Sequence, residues 1–213
     1  MQEPAFALER ILPALGLDET SLPRIEQGNE YPTFRQAQTP SEIYEAIRRV
    51  GVLTDTRDRA EELAESLEER TNLIAHKLKF IAADQKPSVL CLHGLSPTTI
   101  MPGSYLDSLV RLAGGTPINA LGGDEIQPDL LVILSDQPLA SLFGELPALL
   151  ASHAWAATPA VANNNIYIIQ DAEALRQPGL RVADDAEILA EIISSKYFVF
   201  GHEGTAWIRF GLS

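Results

Sequence analysis

Two arginines flank a Pro-Gly pair in the segment Arg176-Gln-Pro-Gly-Leu-Arg181, which follows an apolar stretch typical of a buried strand. A guanidinium group presents a fork of N–H donors that suits carboxylate, phosphate or amide oxygens. The Pro-Gly pair predicts a fixed turn, which aims the arginines at low entropic cost. We therefore predict that Arg176 contacts a polar ligand. Arg181 is predicted instead to pair with a nearby acid, Asp184 or Asp185.

Other polar residues follow the remaining predicted strands. In an open parallel sheet, ligands bind outside the carboxyl ends of the strands, and these ends fall at residues 93–104, 135–139 and 170–181. Backbone N–H groups at a helix start can also bind a polar ligand. The residues predicted to bind ligand at these ends are His93, Met101, Ser104, Tyr105, Asp171 and Arg176. Trp155 either lines the same site or caps its own helix.

The sequence contains no recognisable catalytic set. The segment Cys-Leu-His-Gly is similar to the oxyanion loop of α/β-hydrolases, but the G-x-S-x-G pattern of that fold is missing. The glycine pairs at Gly114 and Gly122 do not form a nucleotide-binding pattern. The four histidines lie far apart, although His93, Asp171 and Glu173 could still converge at the strand ends to form a metal site. We predict a non-enzymatic protein with no resident cofactor or metal.

The charge balance limits the classes of partner. The 213 residues include 16 Lys and Arg against 29 Asp and Glu, a formal net charge of −13. This charge repels nucleic acids and anionic membranes, so neither is expected as the main partner. The one cysteine, Cys91, lies in an apolar run, which predicts that it is a core residue. Without a basic leader, the chain as given is expected in the cytoplasm, or in the periplasm if an upstream signal peptide belongs to it.

The first part of the chain is predicted to be mainly helical. Apolar residues three, four or seven apart between residues 55 and 81 predict one long amphipathic helix. A helix start is predicted at Thr39-Pro40, because proline is favoured at the first helical position. Residues 31–37 could form a short strand.

After residue 86, fully apolar strands alternate with helices. This alternation predicts an α/β fold in which helices cover both faces of a parallel sheet. The helix predicted at residues 139–155 is expected to bend or break at Pro147. The tail from residue 197 to 210 is expected to add a hairpin.

Five segments of the sequence, taken in order, match one known pattern: RVGVLTDTRDRAEELAESLEERTNLI, MPGSYLDSLVRLAGG, IQPDLLVIL, HAWAATPAVANNNIYIIQ and the R-x-P-G-x-R loop. Together they resemble the C-terminal lobe of the periplasmic binding proteins for cobalamin and ferric siderophores, which are substrate-binding components of ABC transporters. The resemblance covers roughly residues 40 to 195. It implies a parallel α/β lobe after a long linker helix, and binding of a cobalamin- or ferric-siderophore-like small molecule.

The resemblance also implies a domain organisation and partners. Residues 1–50 correspond to a reduced N-terminal lobe, residues 51–83 to the linker helix and residues 84–213 to the C-terminal lobe with its hairpin. The missing lobe leaves the long helix uncovered, which predicts a homodimer. Family members dock on the permease through a surface glutamate on each lobe, and residues 146–170 contain no acid, so the permease remains an open partner. The alternative function is a ligand-free protein-interaction domain derived from this family.

Overall fold

The computed structural model describes residues 4–28, 31–119 and 127–211. Within these ranges one sheet is built from β1 (Ser88–Leu95), β2 (Thr98–Ile100), β3 (Thr116–Ile118), β4 (Leu130–Ile133), β5 (Ile166–Ile169) and β6 (Trp207–Arg209). Strands β1, β4 and β5 lie side by side and run parallel. Strand β3 pairs in parallel with the first half of β1, while β2 and β6 pair antiparallel with β1 and β5.

Alternate side chains of the parallel strands enter two separate hydrophobic clusters. In β4, Leu130 and Val132 belong to the first cluster, whereas Leu131 and Ile133 belong to the second. Because both faces of the sheet are buried, every position of the strand is apolar. The predicted α/β fold, a parallel sheet flanked by helices, is confirmed.

The helices of the described ranges are α1 (Leu8–Ile11), α2 (Leu22–Glu26), α3 (Tyr31–Phe34), α4 (Pro40–Thr54), α5 (Arg57–Leu78), α6 (Ser104–Leu112), α7 (Leu139–Leu150), α8 (His153–Ala156), α9 (Pro159–Ala162) and α10 (Val182–Ile193). The first cluster joins one face of the sheet to α1–α6 and α10. The second cluster joins the other face to α7, α8 and α9. None of the helices described has the length and apolar character that a membrane span requires.

Helices α4 and α5 form the support on which the first face of the sheet rests. Helix α4 begins as predicted, with a reciprocal capping box between Thr39 and Glu42. Helix α5 has 22 residues, which gives a length of about 33 Å, somewhat shorter than predicted. It packs against α4 and α10, and Arg70 donates to Glu187 of α10 at 2.8 Å. Its apolar face is therefore covered, unlike the open face on which the homodimer prediction was based.

The strand expected at residues 31–37 is wrong, because α3 and a turn occupy this segment. Pro32 lies at the second helical position, where its missing N–H is not needed for an intrahelical bond. The ring of Tyr31 packs edge-on against Phe34, with 5.5 Å between the ring centroids. Phe34 is buried in the same cluster as the first face of the sheet. The N-terminal helices thus share one core with the α/β lobe.

Of the bend or break expected at Pro147, the break is wrong, because α7 continues through Pro147 to Leu150. Pro147 and Phe143 are both exposed. Pro147 has no N–H to donate to the carbonyl of Phe143. That carbonyl lies on the solvent side of the helix, where water can donate to it.

The hairpin expected at the end of the chain is also wrong. In the described part of the tail, β6 alone forms a strand, and its partner is β5 rather than the preceding residues. The backbone N–H groups of Gly201 and His202 donate instead to the Glu191 carboxylate, at 2.5 and 3.1 Å. A side chain of α10 thus takes the donors that a hairpin ladder would need.

Candidate ligand-binding site

Three loops meet at the carboxyl edge of the parallel sheet. His93 lies near the end of β1, Leu134 directly follows β4, and Arg176 lies in the loop after β5. The Arg176 Nη2 donates to the Leu134 carbonyl at 3.1 Å, and the His93 Nδ1 lies 3.2 Å from the same oxygen. The structure thus brings together two of the residues predicted to bind ligand, and a single carbonyl fixes their separation.

Arg176 is held in place by a second contact. Its Nη2 lies 2.8 Å from the Asp136 Oδ1, and its side chain is 21% exposed. Its Nε is buried without a hydrogen-bond partner among the described atoms. Most of the Arg176 side chain is therefore covered, and it joins the loops that follow β4 and β5.

His93 has one ring nitrogen engaged and one available. The Arg176 Nη1 also lies 3.5 Å from this Nδ1. In the tautomer that donates Nδ1–H to the Leu134 carbonyl, the Nε2 atom carries the lone pair. The Nε2 lies 3.9 Å from the Asp136 Oδ2, beyond hydrogen-bond distance, and the side chain is 38% exposed. A carbonyl that orients the ring through one nitrogen and leaves the other free is the usual arrangement around a metal-ligating histidine.

A buried charged cluster lies behind this edge. Arg181 donates to Asp171 and lies 3.7 Å from the Asp185 Oδ1, so its predicted structural pairing with Asp185 is confirmed. Tyr105 donates to the Asp185 Oδ2 at 2.8 Å. Burial raises the pKa of the Asp185 carboxyl to about 7. Burial and the neighbouring Asp185 also raise the pKa of Tyr105 well above its ordinary value.

The other predicted residues are more scattered. Tyr105 is buried and donates to Asp185 inside the protein. It therefore supports the site from within instead of contacting a ligand directly. Trp155 is buried in the second hydrophobic cluster beneath the other face of the sheet, where it fills the core rather than lining this edge. Met101 is half-buried and Ser104 is exposed at the start of α6. Asp171 lies at this edge but is already paired with Arg181.

Sequence reasoning missed Asp136 and the carbonyl of Leu134. Both follow a predicted strand directly, so the strand-end rule that selected His93 and Arg176 also points to them. A backbone carbonyl has no signature in the sequence, and an exposed acid in a loop is common. Across the part of the chain that the structure describes, no group of three or more His, Cys, Asp or Glu side chains is arranged to hold a metal ion.

The N-terminal segment supports the loop that carries Arg176. The Ala7 N–H donates to the Pro178 carbonyl at 2.8 Å, and the Gln177 side chain donates to the Ala5 carbonyl at 3.0 Å. The backbone of the loop is therefore fixed from the side opposite the sheet. This support could not be read from the sequence, because the two segments lie at opposite ends of it.

Comparison with known proteins agrees with this fold. A family model described as periplasmic binding protein matches residues 14–173, three quarters of the chain. The uncharacterized ABC transporter substrate-binding lipoprotein YvrC of Bacillus subtilis (strain 168) is 23% identical over 166 residues, 76% of this chain and 52% of that protein. The chain thus spans about half the length of this curated relative.

Solved structures show the same fold. An ABC transporter substrate-binding protein from Listeria monocytogenes EGD-e superposes with a TM-score of 0.68 at 15% identity, covering 91% of this chain and 100% of that one. S. aureus IsdE complexed with heme gives a TM-score of 0.61 at 18% identity, covering 73% of this chain and 65% of that one. The family model, the relative and the fold agree with the resemblance noted in the sequence, and the chain belongs to the periplasmic binding protein family.

Proposed function

We propose that this protein is the substrate-binding component of an ABC transporter and that its ligand is a metal chelate with carboxylate groups. The convergence of His93 and Arg176 on the Leu134 carbonyl carries the proposal. Family membership and the name of the curated relative favour ligand binding over the interaction-domain alternative. Haem is the first chelate to test, since one solved neighbour was complexed with it. The cobalamin- and siderophore-like ligands predicted from sequence are metal chelates as well, in which amide, phosphate or other oxygens can take the place of the carboxylates as acceptors for Arg176.

His93 suits the metal of such a ligand. Its ring is oriented by the Leu134 carbonyl, and its Nε2 lone pair is free of protein hydrogen bonds in the described structure. A neutral imidazole is a common axial ligand to haem iron. Iron is here part of the cargo, so the site needs to supply one axial nitrogen rather than a full set of metal ligands.

Arg176 suits the carboxylate groups. In the structure its guanidinium is paired with Asp136, whose side chain is 70% exposed. An ion pair with such an exposed partner contributes little stability, so a ligand carboxylate can displace Asp136 at small cost. The Leu134 carbonyl then still holds the guanidinium in position. Asp136 thus neutralises Arg176 until a ligand carboxylate replaces it.

The homodimer and the permease remain predictions. We place the working location outside the cytoplasmic membrane, which the family and the lipoprotein relative support. A second lobe would close the open edge at His93 and Arg176. Light scattering at high protein concentration distinguishes a monomer from a dimer.

Arg176→Ala should weaken haem binding roughly ten- to hundredfold, because removal of a hydrogen bond to a charged group costs ~1.5–3 kcal/mol. His93→Ala should weaken it similarly and shift the Soret band, since the axial nitrogen is lost. Calorimetry and absorbance titration with hemin measure both effects. Because Arg176 crosslinks two loops, its removal should also lower the free energy of unfolding by about 1 kcal/mol.

The exposed residues Arg111 and His153 provide matched controls. Arg111→Ala and His153→Ala remove the same side chains from outside the site and should leave the affinity unchanged. If the parent protein binds neither haem, cobalamin nor a ferric siderophore, the proposed function is wrong. If it binds but both site variants match the parent, the ligand lies elsewhere.

Asp136→Asn should raise the affinity for the ligand, whereas the two substitutions above lower it. Without its carboxylate partner, Arg176 is free to receive a ligand carboxylate, so the affinity for an anionic chelate should rise by roughly two- to fivefold, the magnitude of an exposed ion pair. The gain should shrink as salt is added, because exposed charges are screened. A calorimetric titration at two salt concentrations tests this, and a weaker affinity in the variant would show that Asp136 itself contacts the ligand.

A further inference from the structure

All four lysines of the sequence, at positions 77, 79, 86 and 196, lie at one end of the molecule. Three occur at or just beyond the end of α5, and Lys196 follows α10. The Lys77 ammonium donates to the Tyr197 carbonyl at 3.2 Å, which joins these two segments. Lys86 and Ser195 line the same shallow cavity. A chain with a net charge of −13 thus gathers its lysines into one surface region.

Exposed apolar side chains lie among these lysines. Phe80 is 85% exposed and Val199 is 90% exposed, and Leu73 and Tyr197 are also exposed. The segment after α10 alternates, with Phe198 packed inward and its two neighbours pointing to solvent. We define the basic–aromatic patch as Leu73, Lys79, Phe80, Lys196, Tyr197 and Val199.

The contacts within the basic–aromatic patch pair each cation with a ring. The Lys79 ammonium lies 4.8 Å from the centre of the Phe80 ring, and that of Lys196 lies 5.7 Å from the centre of the Tyr197 ring. Such pairs are weak at exposed sites, so both the lysines and the rings remain available to a partner.

The charge of this region is opposite to that of the whole protein. Residues 70–83 and 192–202 contain no Asp or Glu, and the nearest acids along the chain are Glu69, Asp84, Glu191 and Glu203, of which Glu191 is buried. Because charges are screened over about 8 Å at physiological ionic strength, the local lysines determine the potential over the patch. The repulsion of anionic membranes that the net charge implies is therefore reversed at this end.

We infer that the basic–aromatic patch docks the protein on an anionic lipid surface. Protruding phenylalanine and valine side chains can enter the interfacial layer of a bilayer, while lysines on flexible stems reach the lipid phosphates. A second copy of the chain fits less well, because it would place lysines against lysines. The inference does not depend on the identity of the ligand, since the patch and the ligand site involve different residues.

Sedimentation with vesicles tests the inference. The parent protein should bind vesicles of equal parts phosphatidylglycerol and phosphatidylcholine, and should bind pure phosphatidylcholine far more weakly. The double substitution Lys79→Gln/Lys196→Gln should weaken partitioning roughly thirtyfold, about fivefold for each lysine near the surface. Phe80→Ser should weaken it at least about tenfold through lost apolar insertion.

A matched control removes the same charge from another surface. Arg24 and Arg57 are exposed and lie outside the patch. Arg24→Gln/Arg57→Gln should therefore leave partitioning within about twofold of the parent. All the substituted side chains are exposed, so an unchanged melting temperature confirms that each variant is folded.

Four outcomes overturn the inference. The parent protein is not retained by anionic vesicles, or the control loses as much binding as the lysine variant. Alternatively, the patch variants lose binding to an acidic polypeptide such as polyglutamate while vesicles have no effect, which assigns the patch to an acidic protein. Conversion of a dimer to a monomer by Phe80→Ser, without vesicle binding, assigns it to self-association.

Discussion

Glu191→Ala should lower the free energy of unfolding by about 3–5 kcal/mol, the range expected when several buried donors lose their acceptor. The buried Glu191 carboxylate accepts the backbone N–H groups of Phe200, Gly201 and His202. It also accepts the indole N–H of Trp207 at 3.0 Å. Alanine leaves all four donors unsatisfied and releases the tail from α10.

The charge state of Glu191 adds a pH dependence to this prediction. Burial acts to raise its pKa, but the hydrogen bonds from Trp207 and the backbone outweigh burial, and the pKa lies below its ordinary value. A group whose pKa is lowered on folding stabilises the protein above its unfolded pKa and loses that contribution as the pH falls. The difference between parent and Glu191→Ala should therefore shrink in acid.

Urea denaturation followed by tryptophan fluorescence measures the effect, with Trp207 itself as one reporter. Glu191→Gln keeps one side-chain oxygen as an acceptor and should lose less stability than the alanine variant. Glu203→Ala removes an exposed glutamate from the same tail and serves as the matched control. A loss below about 1 kcal/mol in Glu191→Ala would mean that water replaces the carboxylate at these donors.

Asp185→Asn should remove a large pH dependence of stability. In the folded protein the pKa of Asp185 is raised from 3.8 to about 7, mainly by burial. The folded state therefore keeps a proton that the unfolded state releases, and stability falls as the pH rises from about 4 to about 7. The full loss is on the order of 4 kcal/mol. The neutral amide does not titrate. The free energy of unfolding of the variant should therefore increase relative to that of the parent as the pH rises.

The groups that face Asp185 set the sign of this prediction. Tyr105 donates to the carboxylate, and Arg181, at 3.7 Å, favours the ionised form. The backbone N–H of Leu175 also favours the ionised form, whereas Asp184 raises the pKa together with burial, and burial outweighs the groups that favour ionisation. Urea denaturation of parent and variant at several pH values between about 4 and about 8 follows the whole titration. Parallel curves would show that Arg181 keeps Asp185 ionised throughout.

The sheet and the convergence of His93 and Arg176 at its carboxyl edge could be predicted because local patterns determine them. Apolar runs separated by helices specify a buried parallel sheet, and the rule that ligands bind at strand ends selected His93 and Arg176. Arg181 was assigned correctly to structural pairing, since its acid partner lies one helical turn away in the sequence.

Features that depend on distant contacts could not be predicted. Tyr105 was expected to contact ligand, but the side of α6 that faces α10 is determined by its bond to Asp185, 80 residues further along the chain. The sequence around Trp155 did not indicate on which face of the sheet its side chain would pack. The tail was predicted as a hairpin because its apolar and aromatic residues are typical of strands, whereas the carboxylate of Glu191 decides its path.

The support of the Arg176 loop by residues 5–7 has a consequence for the order of folding. The Gln177 side chain and the Ala5 carbonyl are 172 positions apart in the sequence. During synthesis the N-terminal segment leaves the ribosome long before its partner loop exists, and contacts of such separation form late because loop closure is entropically costly. The edge proposed to bind the ligand should therefore be the last part of the molecule to reach its native structure.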